Sequence, residues 1–377
     1  MAGIYLHIPF CKQACHYCDF HFSTQVKSMP DLLQAMHREL QSRRNYLEGE
    51  TVETIYFGGG TPSLIATDDL RRLLDAIHGY FPVASNAEIT LEANPDDLTY
   101  HKIIELARTP VNRLSIGIQS FRDQDLQWMN RAHSSSQADF SVKCAQDRGF
   151  ENITIDLIYS IPGLSDRDWM ENIRKAVDLQ IQHISAYSLT IEPQTAFGHQ
   201  LAKKELQPVD DETGSKQFIT LVQELARSGF EQYEVSNFCR PGMESKHNSA
   251  YWLGKKYLGL GPSAHSFNGT SRQWNVSNNP RYAKGWMTGV PELETEMLDK
   301  RTRINEYLMT RLRTTWGVDL EFLQHTFGVD LWQLEKSRFE EWISDGLMHK
   351  DNHTITLTTQ GLLRADRIAS ELFILES

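Results

Sequence analysis

The chain has 377 residues, 40% of them hydrophobic, 23% charged and 10% aromatic, which are ordinary globular values that exclude disordered and fibrous architectures. A formal charge of −11 argues against nucleic acid or anionic lipid as the main partner. No run approaches about eighteen apolar residues and residues 1–9 lack a basic, cleavable leader, so a cytoplasmic protein without a membrane span is expected.

In chain order, short runs rich in β-branched and aromatic residues predict strands at 3–8 (GIYLHI), 54–57 (TIYF), 88–93 (EITLEA), 113–119 (RLSIGIQ), 152–159 (NITIDLIY) and 183–189 (HISAYSL). Helical periodicity separates them, at 31–46, at 68–80 with Leu70, Leu73, Leu74 and Ile77 on one face, and at 168–179. About six strand–helix alternations imply right-handed crossovers and a parallel sheet. An α/β fold results, with a full or partial (β/α) barrel as the leading expectation and a doubly wound open sheet as the second. CKQACHYC, GGGTP, the Asn-Pro after Glu92, the Ser-Phe after Gln119 and IPG after Tyr159 all follow strand ends, where parallel sheets bind ligands.

Beyond about residue 240 the rhythm changes. Residues 254–269 are glycine-rich and 275–291 read as connecting loop. From 303 the pattern is helical through 316, then at 320–327 and 331–347, with a hairpin around Asp351-Asn352 and a last helix at 362–373. The expected division is a barrel over 1–240, a linking segment over 241–300 and a winged-helix-like α+β module over 301–377. That module carries 9 Lys/Arg against 12 Asp/Glu, so a DNA-binding wing is not expected.

Of five cysteines, Cys11, Cys15 and Cys18 crowd into eight residues just after the first strand; Cys144 and Cys239 stand alone and read as buried thiols. Thiolates in C-x3-C-x2-C suit an iron–sulfur cluster with one iron left open. A zinc site completed by His7, His16 or His21 is the plainer alternative.

C-x3-C-x2-C on the first strand with GGGTP on the second resembles the radical S-adenosylmethionine superfamily. In that superfamily a partial (β/α)6 barrel holds a [4Fe–4S] cluster, the open iron chelates the methionine amino and carboxylate groups, and the reduced cluster cleaves the sulfonium to a 5′-deoxyadenosyl radical. Tyr5-Leu-His-Ile-Pro-Phe-Cys11, Tyr56-Phe-Gly-Gly-Gly-Thr-Pro62, Glu88-Ile-Thr-Leu-Glu92-Ala-Asn-Pro95, Ser115-Ile-Gly-Ile-Gln119-Ser-Phe121, Asn130-Arg131 and Ile155-Asp156-Leu-Ile-Tyr159 narrow the likeness to the coproporphyrinogen dehydrogenase branch. The resemblance covers most of residues 1–270. It implies that Cys11, Cys15 and Cys18 bind the cluster and that Tyr5, Tyr17, Gly59, Gly60, Thr61, Glu92, Gln119, Arg131 and Asp156 bind S-adenosylmethionine. Their chemistry agrees: Glu92 can accept from an ammonium, Arg131 can fork onto a carboxylate and Asp156 can bind ribose hydroxyls. Each also has a structural reading, as a strand-end carboxylate paired with an arginine or as a turn cap.

Two departures point to a subfamily. Only ten residues precede Cys11, and Phe20 stands where the dehydrogenases carry a fourth cysteine. Lys246-His247-Asn248-Ser-Ala-Tyr251-Trp252, followed by Gly259-Leu-Gly-Pro-Ser-Ala-His265-Ser, resembles the HemW family of haem chaperones. That likeness implies haem as cargo, an acceptor protein as partner and transient contact with membrane-bound acceptors. His247 is then an axial ligand, Tyr251 and Trp252 pack on the porphyrin, and His265 is a second candidate. A packed segment with a hydrogen-bonded histidine is the alternative for His247. The rival function is an oxygen-independent coproporphyrinogen dehydrogenase; no catalytic residue is assigned, and both monomer and homodimer remain open.

Overall fold

Strands whose side chains alternate between an apolar and a polar face set the architecture. The protein is described over residues 2–375 by a computed structural model. Six parallel strands, β1 (Ala2–Ile8), β2 (Val52–Gly59), β3 (Val83–Ala93), β4 (Arg113–Gln119), β5 (Asn152–Tyr159) and β6 (His183–Ser188), lie side by side in sequence order. One set of alternate residues, including Leu6, Phe57, Leu91, Ile116 and Ile155, is buried and apolar. These side chains pack with Met36 and Leu40 of helix Met29–Ser42 and Leu73 and Ile77 of helix Thr67–Tyr80 in one core. Each helix presents one apolar stripe, as the sequence spacing predicts.

The other set is polar and also buried: His7, Glu88, Thr90, Arg113, Ser115, Thr154, His183 and Ser185. Because strand side chains alternate sides, these point into the concave interior of a partial barrel. The fold class expected from the sequence, a partial (β/α)6 barrel, is the one observed.

The sheet does not close. After β6 come β8 (Asn237–Cys239) and β7 (Glu231–Glu234), both antiparallel. Beyond β1 lie β9 (Lys256–Leu260), parallel to it, then β10 (His265–Phe267), β11 (Ser271–Asn275) and β12 (Leu293–Met297) in antiparallel succession. The glycine-rich stretch therefore holds two strands. Residues 275–291, expected as a loop, contain helix Asn279–Thr288. Asn278 caps it, Pro280 sits in its first turn where no amide partner is needed, and Gly289 ends it in the left-handed region.

A second core gathers Ile304, Leu308, Leu323, Phe339, Met348, Ile355 and Ile368. Here helices pack with a three-stranded antiparallel sheet of β13 (Val318–Asp319), β14 (Met348–Asp351) and β15 (Thr354–Leu357). The helix expected over 331–347 breaks at Glu335 into Leu331–Leu334 and Lys336–Ser344. Cys144 and Cys239 are buried free thiols.

Candidate functional site

The loops at the C-terminal ends of β1–β6 surround a cavity of about 490 Å³. Cys11, Cys15, Cys18, Tyr17, Gly59, Gly60, Thr61, Glu92, Gln119, Arg131 and Asp156 all line it. Eleven residues expected from six separate motifs thus meet in one place.

The cysteine loop is anchored by imidazoles. His7 Nε2 donates to the backbone carbonyl of His21 at 2.9 Å, and its Nδ1 lies 3.2 Å from the Tyr5 hydroxyl. Burial lowers the His7 pKa to about 4, so the ring is neutral and can make both bonds. His21 Nε2 bonds Asn279 Oδ1 at 2.7 Å, and His16 Nδ1 bonds the Trp128 carbonyl at 3.0 Å. The three histidines considered as zinc ligands therefore have ring nitrogens committed to holding the loop. Burial pushes the Cys11 thiol up and the Cys18 thiol to about 11. A metal bound at these positions would have to displace protons.

The glycine run is a cradle. A Cβ on Gly60 would lie 2.7 Å from the backbone N and O of Phe10, and one on Gly59, at φ 107°, would lie 2.7 Å from the His7 ring. Only glycine brings the β2 backbone so close to the cysteine loop.

Arg131 binds the loop to the opposite wall. It donates to Asn94 Oδ1 at 2.6 Å and the Gly117 carbonyl at 2.7 Å, and its Nη1 lies 3.3 Å from Cys15 Sγ. Its buried Nε has no partner, which leaves one charged donor for a ligand anion. Glu92 accepts from Tyr56 Oη at 2.7 Å and from the Gly59 amide at 3.1 Å. Burial raises its pKa to about 7, with Asp156 adding repulsion; burial likewise raises Asp156 to about 6. Two carboxylates strained in this way favour an incoming cation. A thiol triad, a close-approach backbone, an unpartnered arginine nitrogen and two carboxylates awaiting positive charge fit a three-cysteine cluster with a zwitterionic, cationic cofactor beside it.

Sequence reasoning missed Asn94, which holds both Arg131 and the Thr61 hydroxyl, the latter at 3.1 Å. Its position two residues past Glu92 in the Asn-Pro pair was the available signal. Phe20 is 72% exposed and, with Phe22, forms an apolar part of the cavity wall.

Five expected residues lie elsewhere. Tyr5 sits one layer below the cavity, where a Cβ on Gly58 would touch its ring at 2.9 Å. His247 begins the helix Lys246–Trp252 at the opposite, N-terminal end of the barrel. It is 2% exposed, with Nδ1 2.8 Å from Thr54 Oγ1 and Nε2 3.0 Å from Tyr251 Oη. Neither nitrogen is open to an iron atom, so in this structure His247 is a packed, hydrogen-bonded histidine and not an accessible haem ligand. Tyr251 is turned inward with it, packing edge-on against Tyr257 at 4.6 Å, and Trp252 ends the same helix. His265 on β10 is exposed and stacks on Trp274, with centroids 5.6 Å apart and planes at 26°.

A partial barrel with this mouth defines the radical S-adenosylmethionine class, and the family model "Radical SAM superfamily" matches residues 5–176. The model "HemN C-terminal domain" matches residues 298–364. "Heme chaperone HemW" of Bacillus subtilis is 34% identical over 98% of both chains; that of Mycobacterium tuberculosis H37Rv is 35% identical over 98% of this chain and 94% of its own. The Escherichia coli K12 protein of the same name is 32% identical over 99% and 98%. Among solved structures, the coproporphyrinogen III oxidase HemN of Escherichia coli superposes with a TM-score of 0.85 at 21% identity, covering 100% of this chain and 90% of that one, a likeness of fold. The chain belongs to the HemW family of the radical SAM superfamily.

Proposed function

We propose that this protein is a haem chaperone, which binds haem and passes it to an acceptor protein while carrying a [4Fe–4S] cluster and S-adenosylmethionine. One observation carries the reading: the likeness to relatives named as haem chaperones runs the whole length of the chain, through the cavity and the C-terminal module alike. Cys11, Cys15 and Cys18 would hold the cluster, leaving one iron without a protein thiolate. Glu92 receives the cofactor's ammonium, Arg131 Nε its carboxylate and Asp156 its ribose hydroxyls. When bound, the pair supplies one-electron reducing chemistry at the mouth.

Haem is cargo and binds outside the cavity. His265 is its axial ligand, because this imidazole is the exposed one among the expected haem residues and Trp274 already stacks on it. The C-terminal module is the docking platform for the acceptor.

The test is a haemin titration of anaerobically reconstituted protein. Wild type gives a Soret band, and His265→Ala weakens binding about tenfold, the effect of losing one metal–ligand contact partly replaced by water. Equal affinity in the variant removes His265 from the site. Turnover of coproporphyrinogen with S-adenosylmethionine and a reductant overturns the chaperone reading altogether.

A further inference from the structure

The H-N-x-x-Y-W segment is a motif that the cavity does not absorb, and its geometry directs it inward. At the foot of the barrel the Glu88 carboxylate accepts the backbone N–H of Lys246 at 3.1 Å and of His247 at 3.0 Å. The first turn of helix Lys246–Trp252 is thereby tied to β3. Both nitrogens of the His247 ring are held, by Thr54 on β2 and by Tyr251 one helical turn on. The ring cannot swing. Its face lies on Tyr56, with centroids 4.8 Å apart and planes at 21°, and farther from Tyr5 at 6.3 Å and 23°.

The ring also has a space reserved for it. A Cβ on Gly3 would lie 2.8 Å from Thr54 Oγ1 and 3.3 Å from His247 Cε1 and Nδ1. From Tyr56 the chain of contacts runs upward: its hydroxyl donates to Glu92 Oε1 at 2.7 Å, while Glu92 Oε2 takes the Gly59 amide at 3.1 Å. Burial and then Arg113 lower the His247 pKa to about 3, so the plate is neutral at any working pH.

We infer that His247 is a positioning residue for the cofactor cavity: it holds the Tyr56 ring in place and, through the Tyr56 hydroxyl, aims the Glu92 carboxylate at the bound cofactor. The inference rests on the reading that Glu92 faces the ammonium of S-adenosylmethionine. The motif then supports the floor of the mouth and leaves haem to another surface.

The experiment uses the full chain, reconstituted anaerobically, with three parallel readouts: the dissociation constant for S-adenosylmethionine by equilibrium dialysis, the electron paramagnetic resonance spectrum of the reduced cluster with and without S-adenosylmethionine, and a haemin titration. His247→Gln keeps polar partners for Thr54 and Tyr251 but removes the plate; His247→Phe keeps the plate but removes the hydrogen bonds. His247→Gln should weaken S-adenosylmethionine binding about tenfold and blunt the cofactor-induced spectral change, with iron content and haem affinity unchanged. His247→Phe should recover most of that loss, which a general loosening of the fold would not allow. Thr54→Ala frees one ring nitrogen with less disturbance and should cost about threefold, so it decides the matter if the His247 variants do not fold. Wild-type affinity and spectrum in His247→Gln, or in Thr54→Ala where that variant decides, overturn the inference. So does a selective loss of haem in the His247 variants. Failure of the wild type to bind S-adenosylmethionine instead strikes down the cofactor reading on which the inference rests.

Discussion

At the scale of single residues the cavity is a problem of uncompensated charge. Glu92 and Asp156 sit half-buried in the cavity wall with raised pKa values of about 7 and about 6, and Arg131 keeps one nitrogen unpartnered. Both carboxylates are ionised above pH 7 and become neutral as pH falls through that range. A cofactor bearing an ammonium and a sulfonium loses its counter-charge in the same interval. Affinity for S-adenosylmethionine should therefore fall about tenfold between pH 8 and pH 5.5. Calorimetric titration across that range checks it, and Glu92→Gln should flatten most of the dependence. The cysteines and glycines of this site were legible because their chemistry is local: three thiols within eight residues, three glycines in a row. Asn94, His7 and the inward turn of His247 were not. Their partners lie on neighbouring strands or across the barrel, and nothing in a sequence pattern tells which way a histidine faces.

At the scale of elements, one buried carboxylate fastens two parts of the fold. Glu39, fully buried on helix Met29–Ser42, bonds Arg43 at 3.1 Å, Asn275 at 2.7 Å, the Gly261 amide at 2.9 Å and the Tyr282 hydroxyl at 2.5 Å. Arg43 in turn reaches the Gly259 carbonyl, Ser266 and Gln273. This helix thus clamps β9, β10 and β11 to the edge of the barrel. Removing the carboxylate leaves the buried guanidinium without its counter-charge and the Gly261 amide and Tyr282 hydroxyl without that acceptor. Glu39→Ala should cost about 3–5 kcal/mol in urea denaturation. Replacing Lys216, whose partner Asp166 is also at the surface, should cost under about 1 kcal/mol. The six strands of the barrel were readable from their β-branched runs. The sheet extension was not, because Gly259 within β9 and Gly261 just after it dilute the pattern, and because Pro280 and Gly285 hide a helix that is capped correctly at both ends.

At the scale of the whole molecule there are two cores. The larger runs from Ala2 to Trp286 and the smaller from Ile304 to Leu372. They meet where Thr315 donates its amide to the Tyr233 carbonyl at 3.0 Å, where Trp316 packs near the Tyr233 ring at 6.0 Å, and where Arg272 pairs with Glu306 at 2.9 Å. Such a junction is mostly polar and allows the cores to lose stability separately. Leu308, fully buried in the smaller core, offers the test. Leu308→Ala should destabilise that module by about 2–5 kcal/mol and split the calorimetric transition, with iron content and S-adenosylmethionine affinity unchanged. A single shifted transition with loss of iron would mean that the two cores melt as one.

The Glu39 clamp also sets a schedule. Its partners Asn275 and Tyr282 follow it by 236 and 243 residues, and His21 of the cysteine loop waits 258 residues for Asn279. At translation rates of about 5–20 residues per second, the helix that carries Glu39 leaves the ribosome roughly 12–50 seconds before the groups that complete its hydrogen bonds exist. Throughout that interval Glu39 has Arg43 beside it but none of its later partners, and the cysteine loop lacks one of its anchors. The cysteine-loop end of this chain is made first and finished almost last, so the proposed cluster would be inserted after synthesis has passed residue 279.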